Sequence, residues 1–262
     1  MNNPDDVLLI QRDPQVLRLT VNRPERRNAL TVPVFSALRG ALTEAEEDPE
    51  IRAIVLTGAG DKAFSAGADL KPDTEYSPLE RGTQRLNHPI VDLFHVVEGL
   101  SKPLVARVNG HAMAGGMGLL AMCDLAVAVD DAKFALPEAR IGLFPLLINT
   151  YLQRLLPYRT LMELCLTGEA ISAQRAAEIG LINHVVPRAE LDARVDELLA
   201  SIVANAPQAV RRGRLAMRAM RDMGLGESFA FAQTEVIGMF NDPDFDEGIA
   251  AFNEKRPPRW SS

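Results

Sequence analysis

A glycine-rich segment carries the strongest chemical signal in this sequence. Residues 110–118 are Gly-His-Ala-Met-Ala-Gly-Gly-Met-Gly, between a predicted strand over 103–108 and a predicted helix over 119–122. Such a turn exposes backbone N–H groups at a helix N-terminus, where the macrodipole adds positive potential. It suits an oxygen that carries negative charge, either a phosphate or an oxyanion. The alternative is a tight turn in which the glycines serve only close packing, and this segment alone does not decide between the two.

Two further segments place small or acidic residues after predicted strands. Residues 64–70, Phe-Ser-Ala-Gly-Ala-Asp-Leu, follow an apolar strand predicted over 51–57, and residues 136–145 follow a strand predicted over 124–129. Because ligands of α/β proteins bind at the carboxyl ends of strands, we expect all three segments to converge there. Glu138 stands in a largely apolar stretch, so desolvation would suit it to proton transfer. A surface or salt-bridged glutamate is the alternative.

The composition excludes several classes of function. The chain has 262 residues, 47% of them hydrophobic and 24% charged, as is usual for a globular protein. A formal net charge of -7 argues against nucleic-acid binding. No apolar run approaches membrane-spanning length and no targeting segment is evident, so we expect a cytoplasmic protein that does not bind membranes. The two cysteines, Cys123 and Cys165, are expected to be buried free thiols, and no spacing predicts a metal site.

The order of predicted elements indicates an α/β core followed by helices. Strands over 7–12 and 16–21 flank Asp13-Pro14 and predict an antiparallel start. A helix is expected from Thr31, with Pro33 in its first turn, to Asp48, followed by a long loop over 58–76 and a helix over 78–99. Beyond residue 145 nearly everything is predicted helical. We divide the chain into a core, 1–200, and a helical region, 201–262. The arginines of a helix over 206–222 are expected to form a solvated face.

The motifs, taken together and in order, resemble those of the crotonase superfamily of enoyl-CoA hydratases and isomerases. They span nearly the whole chain: Asn-Arg-Pro-Glu-Arg-Arg-Asn-Ala-Leu at 22–30, Ala-Phe-Ser-Ala-Gly-Ala-Asp-Leu at 63–70, Val-Asn-Gly at 108–110 with Gly115-Gly116, Cys123-Asp124, Pro137-Glu138, Leu-Thr-Gly at 166–168, Ile-Ser-Ala at 171–173, Ala-Glu-Ile-Gly-Leu-Ile at 177–182 and Phe-Asn-Glu-Lys-Arg-Pro-Pro at 252–258. The resemblance implies a spiral of ββα units and a helical carboxyl-terminal region that packs homotrimers, often stacked as homohexamers.

The resemblance also implies the positions of the site. The backbone amides of Ala68 and Gly115 would hold the thioester oxygen of an acyl-CoA as an enolate forms, with Glu138 as the acid/base. Coenzyme A enters as part of the substrate, so no separate cofactor is expected. Residues expected to line the CoA or the substrate are Arg27, Ala29, Ala66, Asp69, Leu70, Lys71, Gly118 and Lys255.

Two departures from the family pattern bear on the reaction. A two-carboxylate hydratase carries its first glutamate where this chain has Gly118, which leaves Glu138 as the single acid/base. Bulky residues occupy positions 146–149, Leu-Leu-Ile-Asn, and are expected to narrow and dry the pocket, while Gly118 would free volume for the acyl chain. Double-bond isomerisation is therefore favoured over hydration. Another enolate reaction and an acyl-CoA-binding protein with little catalysis are the alternatives.

Overall fold

The computed structural model describes residues 6–70 and 88–261. Within them the strands are β1 (Leu8–Asp13), β2 (Val16–Val21), β3 (Ala53–Gly58), β4 (Ala63–Ser65), β5 (Leu104–Val108), β6 (His111–Met113), β7 (Leu125–Val129), β8 (Lys133–Ala135), β9 (Ile171–Ser172) and β10 (His184–Val186). The helices are α1 (Val32–Glu47), α2 (Pro89–Gly99), α3 (Gly115–Ala121), α4 (Leu146–Leu152), α5 (Tyr158–Thr167), α6 (Ala173–Glu178), α7 (Leu191–Val203), α8 (Pro207–Met220), α9 (Leu225–Phe240) and α10 (Pro243–Glu254).

The amino-terminal elements form where the sequence predicts them. β1 and β2 pair antiparallel, with Asp13 opposite Val16 at the turn. α1 follows Thr31 and ends at Asp48, and Pro33 lies in its first turn. The Thr31 side chain accepts no capping hydrogen bond from the described residues, so the fixed φ of Pro33 favours this start instead. The face of α1 toward the core carries Val34, Phe35, Leu38, Ala41, Leu42 and Ala45.

The main sheet has the strand order β1-β2-β3-β5-β7-β10, and every pair except β1 with β2 is parallel. All residues of β3 are buried, as expected for a central parallel strand covered on both faces. α1 packs on β1 and β2, whereas α7 packs on β3, β5 and β7. The prediction of an α/β core followed by a helical region is confirmed, although the short strands β9 and β10 lie beyond residue 145, where nearly everything was predicted helical.

A second, smaller sheet is built from short strands that the sequence analysis did not predict. Its order is β4-β6-β8-β9, with β4, β6 and β8 parallel. Each of these three strands follows a main-sheet strand within a few residues, β4 after β3, β6 after β5 and β8 after β7. The predicted loop over 58–76 was therefore wrong at its start, because it contains β4. Residues 71–87 lie outside the described part of the chain, including the first ten positions of the helix predicted over 78–99.

The prediction of a solvated arginine face on α8 was wrong for two of its arginines. Arg214 and Arg218 are buried and donate to Asp124 at 2.7 and 3.1 Å. Arg218 also pairs with Glu98 of α2 at 2.5 Å. Helical periodicity alone could not reveal this, since the acidic partners come from distant elements. These ion pairs stabilise the packing of α8 against the core.

No helix within residues 6–70 and 88–261 combines the length and the apolar content needed to cross a membrane.

Candidate active site

Three segments that the sequence analysis singled out meet at one edge of the second sheet. Because β4, β6 and β8 are parallel, the segments after them lie side by side at their carboxyl ends. The N–H of Ala114, after β6, donates to the carbonyl of Ala135, the last residue of β8, at 2.9 Å. The predicted convergence is correct, but it occurs on the small sheet rather than on the main one.

The backbone of Ala68 is held by a parallel bridge to Leu30. The N–H of Leu30 donates to the carbonyl of Gly67 at 2.8 Å, and the N–H of Asp69 donates to the carbonyl of Leu30 at 2.9 Å. In a parallel bridge, bonds to both neighbours of a residue direct that residue's own N–H to the opposite side. The N–H of Ala68 therefore points away from Leu30.

The amides of Ala68 and Gly115 stand next to each other. A Cβ at position 115 would lie 3.5 Å from the Ala68 nitrogen. Neither amide donates a backbone hydrogen bond to any residue that the structure describes. Gly115 is the first residue of α3, where N–H groups lack partners within the helix. This geometry can receive one ligand oxygen with two donors.

The close approach of the two loops depends on glycine at position 67. Gly67 has a φ of +87°, and a Cβ there would lie 2.7 Å from the Cβ of Ala114 and 2.9 Å from the Gly115 nitrogen. Ala114 itself has a positive φ of 48° although it carries a side chain. Strained backbone of this kind persists where surrounding contacts enforce it and is frequent at functional sites.

Ser65 and Asn28 support this arrangement, and the sequence analysis missed both roles. The buried Ser65 hydroxyl donates to the Asn28 carbonyl at 2.8 Å and accepts from the Gly67 N–H at 3.2 Å. The side-chain amide of Asn28 donates to the carbonyl of Ala63 at 2.7 Å. The available sequence signals were the serine before Ala-Gly-Ala and the residue type of Asn28, because asparagine tolerates the left-handed conformation that it adopts here.

Glu138 lies in a short 3₁₀ turn, Pro137–Ile141, that follows β8 and ends at Gly142 in the left-handed conformation. Its Oε2 atom is buried and has no hydrogen-bond partner among the described residues. Burial raises the pKa of Glu138, opposed in part by a hydrogen bond from its own backbone. No described cation forms a salt bridge with it, so the salt-bridged alternative does not apply.

The expected free volume beside Gly118 is absent, and that expectation was wrong. A Cβ at position 118 would lie 2.4 Å from Cγ2 and 3.0 Å from Cβ of Ile148 on α4. Ile148 is 5% exposed and fills the space that a side chain of α3 would take. Leu146 and Leu147 are exposed, so of the bulky residues predicted to narrow the pocket Ile148 is the one that contacts this position.

Asn149 and Cys165 form a polar pair near Glu138 that the sequence analysis did not identify. The Asn149 amide donates to the Sγ of Cys165 at 3.4 Å, while its Oδ1 is buried without a partner among the described residues. Burial raises the pKa of the Cys165 thiol, with a further increase from the Glu138 charge and a decrease from Asn149. Both cysteines are free.

The residues expected to line the CoA are only partly gathered here. Arg27 is exposed, and its carbonyl accepts from the N–H of Ala66 at 2.9 Å. The carboxylate of Asp69 is buried and pairs with Arg23 at 2.9 Å, which indicates a structural role for that side chain. Arg23 also donates to the carbonyl of Ala29 at 2.6 Å.

The other expected CoA contacts lie at ends of the described segments or far along the chain. Leu70 is exposed and is the last described residue before the gap. Lys71 falls outside the described residues. Lys255 is exposed and ends α10 in the left-handed conformation, with a φ of 54°. Its expected reach to a nucleotide phosphate stays a prediction.

Comparisons with known proteins show the family to which this chain belongs. The sequence model of the enoyl-CoA hydratase/isomerase family matches residues 11–262. A putative enoyl-CoA hydratase of Thermus thermophilus is 39% identical, over 92% of this chain and 95% of that protein. Enoyl-CoA hydratase EchA19 of Mycobacterium tuberculosis is 37% identical, over 97% of this chain and 96% of that protein.

Solved structures show the same fold. The crystal structure of an enoyl-CoA hydratase of Mycobacterium smegmatis superposes with a TM-score of 0.90 at 36% identity, covering 98% of this chain and 99% of that one. An enoyl-CoA hydratase of Bacillus anthracis gives a TM-score of 0.89 at 32% identity, covering 97% and 99%. The fold is therefore that of the crotonases, and this chain is an enzyme that belongs to the enoyl-CoA hydratase/isomerase family.

Proposed function

We propose that this enzyme moves a proton on an acyl-CoA thioester through an enolate, with Glu138 as the single acid/base. The amides of Ala68 and Gly115 would donate to the thioester oxygen. The observation that carries the proposal is their juxtaposition, with a Cβ at position 115 only 3.5 Å from the Ala68 nitrogen and both N–H groups unpaired among the described residues. Removing one donor of such a pair typically costs about 10²–10³ in turnover.

The chemistry balances with one carboxyl group. The ionised Glu138 removes a proton from a carbon of the enoyl chain, and the electron pair moves to the thioester oxygen between the two amides. The neutral acid then returns the proton to a different carbon, which shifts the double bond. Burial raises the pKa of Glu138 and so favours the neutral form that this second step requires.

A polar cleft beside Arg27 supports a place for the nucleotide end of the CoA. The cleft has a volume of about 420 Å³. Its cationic side chains could pair with phosphate oxygens. It is lined by Arg27, Asp61, Lys62, Gly110, His111, Asp131 and Arg188.

Hydration is the second candidate, favoured by what the relatives are called. Several are enoyl-CoA hydratases, and one at 34% identity is a carnitinyl-CoA dehydratase of Salmonella typhi. Hydration requires a bound water. Because Gly118 has no side chain to hold it, another group of this chain, or a carboxylate of the substrate itself, would have to do so.

The test compares wild-type protein with Glu138→Gln on 2-enoyl-, 3-enoyl- and glutaconyl-type CoA esters, with products followed by mass in ordinary and deuterated water. We expect Glu138→Gln to lower turnover on the order of 10³-fold while acyl-CoA binding is retained. Glu163→Gln, at an exposed position of α5, is the matched control and should act like wild type. Turnover of Glu138→Gln within about tenfold of wild type would reject the proposal, and a mass gain of one water would identify hydration.

We further propose that the active form is a homotrimer or a homohexamer. No residue of α9 is buried in the single chain. Its exposed apolar side chains form an apolar surface of a kind that monomeric proteins rarely expose to water. Contact between protomers would bury this surface. These side chains are Leu225, Phe229, Val236, Ile237 and Phe240. Analytical ultracentrifugation tests this, and a monomer at assay concentration would contradict it.

A further inference from the structure

We propose that Ile148 determines the reaction type of this site by excluding a second acid/base group from α3. This inference rests on the proposed function of Glu138. Its evidence is the contact between Gly118 and Ile148, in which a Cβ at position 118 would lie 2.4 Å from Cγ2 and 3.0 Å from Cβ of the isoleucine. Real Cβ atoms do not approach neighbours that closely, so glycine is required at 118 while Ile148 is present.

Position 118 lies on the side of α3 that approaches the Ala68 loop. Gly118 follows Gly115 by one turn of α3, and residues three apart lie on the same face of a helix. A side chain at 118 would therefore project from the side on which position 115 comes close to the Ala68 nitrogen. The groups found there instead are hydrocarbon, because Ile148 fills the space and Cδ1 of Ile90 lies 3.5 Å from the same point. This side of the site offers a water no hydrogen bond from either residue.

Ile148 cannot move aside easily. The 2.4 Å contact is with Cγ2, and a β-branched residue in a helix has one strongly preferred χ1 rotamer, so moving that atom is unfavourable. The second contact, at 3.0 Å, is with Cβ, which no rotamer change displaces. α4 is also held in place at Tyr151, one turn further on. The Tyr151 hydroxyl donates to Glu98, and its ring packs edge-on against Phe94 at 4.7 Å between centroids.

The chemical consequence concerns how the enolate forms, by addition of water or by loss of a proton. Adding water to an enoyl thioester requires one group to activate the water at the β-carbon and a proton for the α-carbon. Returning the proton to another carbon requires only Glu138. With Ile148 in place, the site keeps one acid/base group and an apolar wall at position 118, so proton return is the dominant outcome.

The experiment is a double-mutant cycle of Gly118→Glu and Ile148→Gly, read as the ratio of water adduct to isomerised product by mass. Gly118→Glu alone should lower Tm and leave the ratio at the wild-type value, because the new side chain has no room. The double variant should raise the ratio at least about tenfold above either single variant. Gly118→Gln with Ile148→Gly is the matched control of equal size without a carboxylate, and it should not raise the ratio.

Three results would overturn the inference. The first is a folded double variant that binds acyl-CoA with an unchanged ratio. The second is Gly118→Glu alone reaching the ratio of the double variant, since Ile148 would then be no barrier. The third is a wild-type protein that forms water adduct as fast as isomer.

Folding of the variants is controlled independently. If the glutamate variants are insoluble, Gly118→Asp with Ile148→Gly provides the same comparison with a shorter side chain. Gly118→Ala should lower Tm, and adding Ile148→Gly should recover it, which tests the contact without any new charge. Failure of the proposed function can be told apart from failure of this inference. If Glu138 is not the acid/base, the Glu138→Gln variant keeps wild-type turnover, and this result does not depend on the outcome of the Gly118 and Ile148 cycle.

Discussion

Substitution of Gly67 by alanine tests the oxyanion site most directly, because this glycine separates the two donor loops. Gly67 has a φ of +87°, which costs an L-residue about 1–2 kcal/mol. The new Cβ would also lie 2.7 Å from the Cβ of Ala114 and 2.9 Å from the Gly115 nitrogen, so the loops must separate. The Ala68 and Gly115 amides would move apart with them.

The expected loss of activity follows from that displacement. A misplacement of about 1 Å in a catalytic array can cost about 10²-fold. At about 1.36 kcal/mol for each factor of ten, this corresponds to about 2.7 kcal/mol of transition-state stabilisation. We therefore expect Gly67→Ala to lower kcat/KM on an enoyl-CoA about 100-fold and to lower Tm.

Gly180→Ala is the matched control for backbone strain. Gly180 has nearly the same φ, +81°, but no atom lies within 4 Å of the Cβ position. The control should lose stability comparably and keep its kcat/KM, measured at saturating and subsaturating substrate alongside thermal unfolding. If Gly67→Ala folds and retains kcat/KM within about tenfold of wild type, the two amides do not form the oxyanion site as argued.

Three further predictions concern charge. Asp124→Asn leaves the buried Arg214 side chain without a carboxylate among the described residues and Arg218 with Glu98 alone, so it should lower the free energy of unfolding by about 3 kcal/mol in urea titrations at fixed protein concentration. Burial raises the pKa of Glu138, so the acidic limb of the kcat/KM profile should lie above the ordinary glutamate range. Because the ionised carboxylate is less favourable in the folded than in the unfolded chain, Glu138→Gln should be more stable than wild type at neutral pH. This difference in stability should vanish in acid, where Glu138 is neutral in both states. Hydrogen bonds from Arg256 and Arg259 lower the pKa of Glu247 to about 2, so Glu247→Gln should accelerate hydrogen exchange in residues 256–261 at neutral pH.

Controls separate these effects from general surface changes. Glu178→Gln removes a half-exposed pair with Arg175 and should change the free energy of unfolding by less than about 0.5 kcal/mol. An equal loss in this variant and in Asp124→Asn would contradict the role of burial. A kcat/KM profile whose acidic limb stays at the ordinary glutamate value would contradict the environment assigned to Glu138. Unchanged exchange in Glu247→Gln would show that other contacts hold the carboxyl-terminal turn.

Local patterns in the sequence were enough to predict the order of elements and the family of this chain. Apolar runs of strand length and the Thr31–Asp48 helix are local patterns, so their positions were predictable from spacing alone. The glycine turn before α3 and the lone Glu138 were visible because backbone exposure and residue type are properties of the chain. Family membership followed from several such motifs in one order, and the comparisons confirmed it.

Tertiary structure decided what distant segments do to one another. The three-residue strands β4, β6 and β8 are too short to show a period, yet their pairing brings Ala68 beside Gly115. The arginines of α8 have a polar helical pattern, and only the fold buries Arg214 and Arg218 against the carboxylates of Asp124 and Glu98. Gly118 appeared to leave space, but α4 packs Ile148 into it. Each of these outcomes depends on contacts between residues far apart in the chain, which hydrophobic periodicity does not encode.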